Sequence, residues 1–209
     1  MMPADLPISS WIVFAALAGL SVLTLTVAIF KVMQFRRMGV GRHQLGEQIL
    51  DDWLNGRPDE AQRKAQPGRT VLTRVLRATL SGLRARPAEP EYGEELARQV
   101  ALAELIQLGA RMRLLEAVVQ IAPTLGLLGT VIGMIDAFGN LALSQQISDP
   151  RLLAGGIWTA LTTTAAGLAL ALVAYFISAW LEGRIEDERQ GIELAVSSAI
   201  HGRIAQPGR

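Results

Sequence analysis

Residues 152–181 run for 30 positions without one Asp, Glu, Lys, Arg or His. At about 1.5 Å per residue a helix of that length measures roughly 45 Å, more than the roughly 30 Å hydrocarbon core of a bilayer. Such a helix either tilts or emerges into water beneath a covering of protein. Two further runs have the same character. Trp11 to Phe30 is a stretch of 20 residues with no charge, and Ala117 to Ile135 is uncharged between Glu116 and Asp136. Three membrane-spanning helices and an all-α fold are therefore expected. A secretory signal peptide fits the first run poorly, because no Lys or Arg precedes it and no A-x-A-like site follows it. Ser9 or Ser10, after Pro7, is the expected N-cap.

Composition agrees with packing in lipid. Half of the residues are hydrophobic, yet only 5% are aromatic. Ala, Leu, Gly and Thr supply much of the apolar chain, and small residues let membrane helices approach closely. With no cysteine there is neither a disulfide framework nor a thiolate metal site. His43 and His201 lie far apart in polar stretches, so both are expected at solvated surface, and no metal or cofactor is expected.

The basic residues set the orientation. None precedes Lys31, which closes the first span, 14 lie between Gln34 and Leu115, Arg151 stands alone between the second and third spans, and four follow Leu181. The expected layout is an outer N-terminus over 1–10, a first span over 11–33 and a cytoplasmic helical region over 34–115. A second span over 116–140, an outer loop over 141–151, a third span over 152–181 and a cytoplasmic tail over 182–209 complete it. Within the cytoplasmic part, Leu45, Ile49, Leu50, Trp53 and Leu54 give 34–56 an amphipathic helical spacing that Gly56-Arg57-Pro58 ends. A polar linker follows, with Pro67-Gly68 as a stop. Val71, Leu72, Val75, Leu76 and Leu80 mark a second amphipathic helix over 70–83. After the linker 86–90, residues 91–140 read as one uninterrupted helix entering the membrane. Ile185, Ile192, Val196 and Ile200 extend the third span in the same way, so helices two and three both reach into a cytoplasmic bundle. Asp and Glu are interspersed with the basic residues of 34–115. A salt-bridge-laced helical surface is thus preferred there over a nucleic-acid or anionic-lipid surface. Gly39-Val40-Gly41 lacks the flanking strand and helix of a dinucleotide site.

Inside the membrane, Gly126, Gly129, Thr130 and Gly133 share one helical face at spacings of three and four, and Gly129 with Gly133 makes a GxxxG pair. Pro123 frees a backbone carbonyl one turn earlier. The third span carries Thr159, Thr162, Thr163 and Thr164. Hydroxyls there either bond back to their own helix or, in a ring of such helices, give a mildly polar pore lining. Neither 117–135 nor 152–181 contains an Asp, Glu, Lys, Arg or His. Glu116 and Asp136, 20 residues apart, are separated by roughly 30 Å of helix and belong near the two interfaces. A proton carrier needs an ionisable group near the membrane middle, so this chain is not a complete relay without a partner's carboxylate.

The stretch Ile121-Ala122-Pro123-Thr124-Leu125-Gly126-Leu127-Leu128-Gly129-Thr130-Val131-Ile132-Gly133-Met134 resembles the signature of the ExbB/TolQ/MotA proton-channel family. Gly156-Ile157-Trp158-Thr159-Ala160-Leu161-Thr162-Thr163-Thr164-Ala165-Ala166-Gly167-Leu168 resembles its second block, and the expected topology is similar to that of the ExbB/TolQ branch. The resemblance implies a pentamer in a bacterial inner membrane around a single-span partner dimer of the ExbD/TolR type, which supplies a membrane Asp. It also implies a periplasm-spanning protein of the TonB/TolA type that receives the force, with lipid as surroundings and no nucleic acid. By resemblance Thr130 and Thr164 face the pore, bordered by Thr159. Pro123, Gly126, Gly129, Gly133 and Gly167 pack helices or meet the partner. Two departures stand out: Thr159 occupies the place of a family Glu, and a proline is missing within 170–174. The first leaves the partner's Asp as the mid-membrane carrier and leaves proton and sodium both open.

The expected function is a channel and stator subunit of an ion-driven motor coupled to transport or envelope maintenance. A passive membrane scaffold is the alternative. A permease would want an internal repeat or a polar midplane site, and an enzyme would want a nucleophile–base pair or metal cluster; the sequence offers none of these.

Overall fold

The computed structural model describes residues 8–143 and 150–202. The expected outer segment up to residue 7, the middle of the expected 141–151 loop and the end of the tail lie outside the described residues. Among the described residues there are seven α-helices and no strand: α1 (Ile8–Met38), α2 (Gln44–Leu54), α3 (Pro58–Ala65), α4 (Val71–Ala85), α5 (Pro90–Gly109), α6 (Met112–Leu143) and α7 (Pro150–His201). Helical stretches within Trp11–Met38, Pro90–Ala142 and Leu153–His201 are long and apolar enough to cross a membrane. The helices sort into two compact units. One takes the described residues within 1–29 together with 111–179, and the other takes 30–110 together with the described residues from 180 onward.

The first unit is a three-helix packing of α1, α6 and α7. Its core is Val13 and Leu17 from α1, Val118 and Ala122 from α6, and Ala171 and Ala174 from α7. Ser9 and Ser10 lie inside α1, which already includes Ile8, so neither is its N-cap. In the second unit α1 runs past the expected end at residue 33. It stops at Gly39, whose φ of +66° is a left-handed conformation that ends helices cheaply only at glycine. The expected helix over 34–56 is thus two helices: the last turns of α1, a loop over 39–43, and then α2, which buries Ile49 and Leu50.

The expected linker after Gly56 holds a helix, α3. Pro58 stands in its first turn, where its fixed φ and missing N–H cost nothing, and Asp59 and Glu60 in the first turn with Arg63 and Lys64 in the last are favoured by the helix dipole. Ala61 and Ala65 are fully buried. Two alanines per short helix are too weak an apolar signal to register as a stripe. In α4, Thr70 is the N-cap and accepts the Thr73 N–H at 3.3 Å. Val71, Leu72, Val75, Leu76 and Leu80 are buried, as their spacing predicts. Gly82 of α4 meets Gly93 of α5 backbone to backbone: a Cβ on Gly82 would stand 2.6 Å from Gly93 Cα.

The largest departure is at 110–111. The expected single helix over 91–140 is broken there into α5 and α6: Ala110 is extended at ψ 139° and Arg111 adopts φ +66°. The carbonyls that the break leaves at the end of α5 are taken by α1. Lys31 Nζ, fully buried, donates to the Leu108 carbonyl, and Gln34 Nε2 donates to the Gln107 carbonyl at 3.0 Å. A basic side chain on the last carbonyls of a helix satisfies orphaned acceptors and the negative dipole end together. Lys31, which closes the uncharged run of α1, is therefore satisfied from inside the protein and not by solvent. His43 is also not plain surface. It is half-buried, with Nε2 3.9 Å from the buried Glu188 carboxylate, while His201 is exposed. Among the described residues no group of His, Asp and Glu is arranged to hold a metal.

Candidate functional site

Within the first unit α6 and α7 run antiparallel and meet along a seam of small residues. A Cβ on Gly126 would stand 2.9 Å from Thr164 Cα and 3.0 Å from the Thr163 carbonyl. On Gly133 it would stand 2.9 Å from Ala160 Cβ, and on Gly156 2.6 Å from Ala137 Cβ. The tightest approach to backbone is at Gly167, where the added carbon would stand 2.5 Å from the Ala122 carbonyl oxygen. Gly129 faces Thr163 and, from α1, Val13 Cγ1. Gly126, Gly129, Gly133 and Gly167 thus sit where helices of one and the same chain touch. Pro123 lies within α6 near the Ala122–Gly167 contact, and its missing N–H removes the bond that the Val119 carbonyl would accept in an unbroken helix.

Hydroxyls stitch the same seam. Thr164 Oγ1 donates across to the Gly126 carbonyl at 2.8 Å. Thr163 Oγ1 is 2.6 Å from the Ala160 carbonyl of its own helix and 3.3 Å from the Gly126 carbonyl, so its single proton is shared between them. Thr159 donates to the Gly155 carbonyl at 3.0 Å, Thr162 to Trp158 at 2.8 Å and Thr130 to Leu127 at 2.6 Å. Each of these threonines has its proton engaged, which is how a hydroxyl is made tolerable in an apolar medium. Their oxygens can still accept a bond from a water or a passing cation. The three threonines singled out by sequence differ in place. Thr164 bridges the seam, while Thr130 and Thr159 bond within their own helices, and all three keep partial exposure. Thr163, not singled out, is the buried one. Which of three consecutive threonines faces the neighbour depends on the rotation of α7, and a run of identical residues carries no sign of it.

The rest of this unit is apolar and open. Ile12, Val22, Leu127, Ile135, Trp158, Leu161, Leu172 and Phe176 are each more than half exposed, far beyond what a water-facing surface of a monomer shows. Along α6 from 117 to 135 and α7 from 153 to 181 there is no Asp, Glu, Lys, Arg or His. The arrangement binds helices, excludes water and offers hydroxyl and carbonyl oxygens; it has no carboxylate, amine, guanidinium or imidazole of its own along these stretches.

Residues 67–194 match the model of the MotA/TolQ/ExbB proton channel family. Among curated proteins, the chain is 28% identical over 188 residues to a protein of Methanothermobacter thermautotrophicus provisionally named biopolymer transport protein ExbB homolog, covering 89% of this chain and 65% of that one. It is 31% identical over 168 residues to a provisionally named ExbB-like biopolymer transport protein of Synechocystis, covering 79% of this chain and 65% of the relative. A shorter match, 44% identical over 68 residues, is to the biopolymer transport protein exbB1 of Vibrio cholerae, covering 32% of this chain and 30% of that one. The chain thus spans just under two thirds of the length of the first two relatives. The family match covers more than half of the chain, including the whole α6–α7 seam, and three apolar helices make it a multi-pass membrane protein. This chain belongs to the MotA/TolQ/ExbB proton channel family.

Proposed function

We propose that the chain is the channel and stator wall of an ion-driven motor in a bacterial inner membrane. In this reading several copies, five by family resemblance, surround the membrane helices of a single-span ExbD/TolR-like partner dimer. The carrying observation is the absence of any Asp, Glu, Lys, Arg or His through 117–135 of α6 and 153–181 of α7 in a member of a proton channel family. Ion transfer through the bilayer centre requires a titratable or ion-coordinating group there, so that group belongs to another chain. Thr130, Thr159 and Thr164 line or border the path, with oxygens free to accept bonds from a water file or a cation. The exposed apolar faces are covered by lipid and by neighbouring copies.

The seam of glycines makes each α6–α7 pair a stiff unit, a useful property in a wall that must bear torque. The N-terminus faces the periplasm, and the 34–115 region and the tail face the cytoplasm, following the distribution of Lys and Arg. The output is mechanical work passed to a TonB/TolA-like protein, for which the biopolymer transport of the named relatives is the model.

The test is Thr130→Leu and Thr164→Leu in cells, read as energy-dependent function and, separately, as recovery of the assembled complex. Loss of function with intact assembly is expected. Unchanged function in both variants, or function that persists when the proton and sodium gradients are both collapsed, overturns the reading in favour of a passive scaffold.

A further inference from the structure

Within the second unit, α1 and α7 enclose a cavity of about 150 Å³ lined by Val32, Phe35, Arg36, Arg42, Trp180 and Arg184, with the backbone of 39–40. Three guanidiniums therefore converge on one small space with two aromatic walls. Most other basic side chains of this unit are spent in ion pairs: Arg57 and Lys64 on Asp52, Arg74 on Glu104, Arg84 on Asp59, Arg86 on Glu89, Arg98 on Glu95 and Arg189 on Glu186 and Glu193. Among the described residues Arg36, Arg42 and Arg184 have no carboxylate within ion-pair distance. The acid one turn on from Arg184 along α7, Glu188, is engaged by other groups: it accepts the Gly41 N–H at 2.8 Å and faces His43. Gly41, at φ +80°, has no side chain where Arg184 lies; a Cβ there would stand 2.6 Å from Arg184 Nη2. The loop is thus shaped so that the arginine packs over it.

The position of this cavity along the chain is informative. Lys31 is the first charge on α1 and Glu182 the first after the uncharged run on α7, so the cavity sits where both helices pass from apolar to charged sequence. Trp180, 54% exposed, is placed as an interfacial aromatic anchor. Basic clusters at such a boundary are the sites where anionic headgroups collect, and an arginine fork matches a phosphate better than a lysine does.

We propose that Arg36, Arg42 and Arg184 form a binding site for the phosphate headgroup of an anionic phospholipid. The volume admits a phosphate group but not a whole lipid, so the acyl chains lie along the exposed faces of Val32 and Trp180. The site is independent of the ion path; its failure would leave the channel reading untouched, and the reverse also holds.

The experiment is native mass spectrometry of the full-length complex with phosphatidylglycerol or phosphatidylcholine, each with and without millimolar inorganic phosphate. The wild type is expected to retain phosphatidylglycerol in preference to phosphatidylcholine, undisturbed by phosphate. The preference should fall about fivefold for each charge removed in R36Q, R42Q and R184Q. It should largely survive in the triple Arg→Lys variant, which also shows that the fold is intact. R63Q with R69Q, two arginines outside the cavity, should leave it unchanged. A triple Gln variant that keeps the wild-type preference overturns the proposal, as does displacement of the lipid by free phosphate, which would make the cavity a soluble-anion site.

Discussion

Replacing Gly167 with alanine would put a methyl carbon 2.5 Å from the Ala122 carbonyl oxygen, 3.1 Å from Gly126 Cα and 3.2 Å from Gly126 N. All three are backbone atoms, so no side chain can swing aside, and α6 and α7 must separate. Overpacking of this kind costs about 1–3 kcal/mol. Separation also lengthens the 2.8 Å bond from Thr164 to the Gly126 carbonyl, a contact of the class measured at about 0.6–1.7 kcal/mol between membrane helices. Alanine returns about 1 kcal/mol as the better helix former. The net expectation is a destabilisation of about 1–4 kcal/mol, a factor of roughly 5 to 900 in the unfolding equilibrium. Gly183 on the same helix is the internal control, because a Cβ there meets nothing within 4 Å; Gly183→Ala should be neutral or slightly stabilising. Both variants would be unfolded reversibly in mixed micelles with increasing denaturing detergent, and their midpoints compared with wild type. Equal midpoints for Gly167→Ala and Gly183→Ala would refute the claim that backbone contact, and not general apolar packing, holds α6 to α7.

Lys31→Met should leave the Leu108 carbonyl without its buried donor and loosen the last turn of α5 by about 1–3 kcal/mol. Amide hydrogen exchange over 104–110 should rise accordingly, while Arg37→Met, at an exposed position on the same helix, should leave it unchanged. Asp52 is held below its ordinary value of 3.8 chiefly by the Lys64 hydrogen bond; burial opposes this, and the Lys64 and Arg57 charges add to it. A depressed carboxylate contributes stability above its unfolded value and loses it as pH falls through the folded one. The α2–α3 helices should therefore hold constant stability above 3.8 and weaken progressively below it. Asp52→Asn should be weaker at neutral pH but flat across that acid window, as read by circular dichroism of the full chain in urea.

The three spans, the all-helical fold and the two amphipathic patterns around Ile49 and Val75 were legible from sequence alone. Run length without charge and apolar spacing are local properties, and the bilayer or a partner helix reads them wherever the rest of the chain lies. The Gly126–Gly133 face was legible for the same reason, because a spacing of three and four fixes a helical face. What it packs against was not: spacing does not distinguish a neighbour in the same chain from one in another, and only the antiparallel pairing of α6 with α7 assigns Thr163, Ala160 and Gly167 as its counterparts. The break at Ala110–Arg111 was missed because its one marker is Gly109, and a lone glycine inside a helical pattern is tolerated. It is made tolerable by Lys31 and Gln34, donors supplied from 77 and 73 residues away. The helix at 58–65 was missed because its stability comes from burying two alanines and pairing Lys64 with Asp52, not from its own pattern. In the same way, Arg36, Arg42 and Arg184 are ordinary charges in sequence, and only the approach of α1 to α7 in the second unit turns them into one site. Sequence decides what each segment can be by its local chemistry. The tertiary structure decides which distant group satisfies each buried carbonyl, carboxylate or guanidinium, because those partners are chosen by position in space.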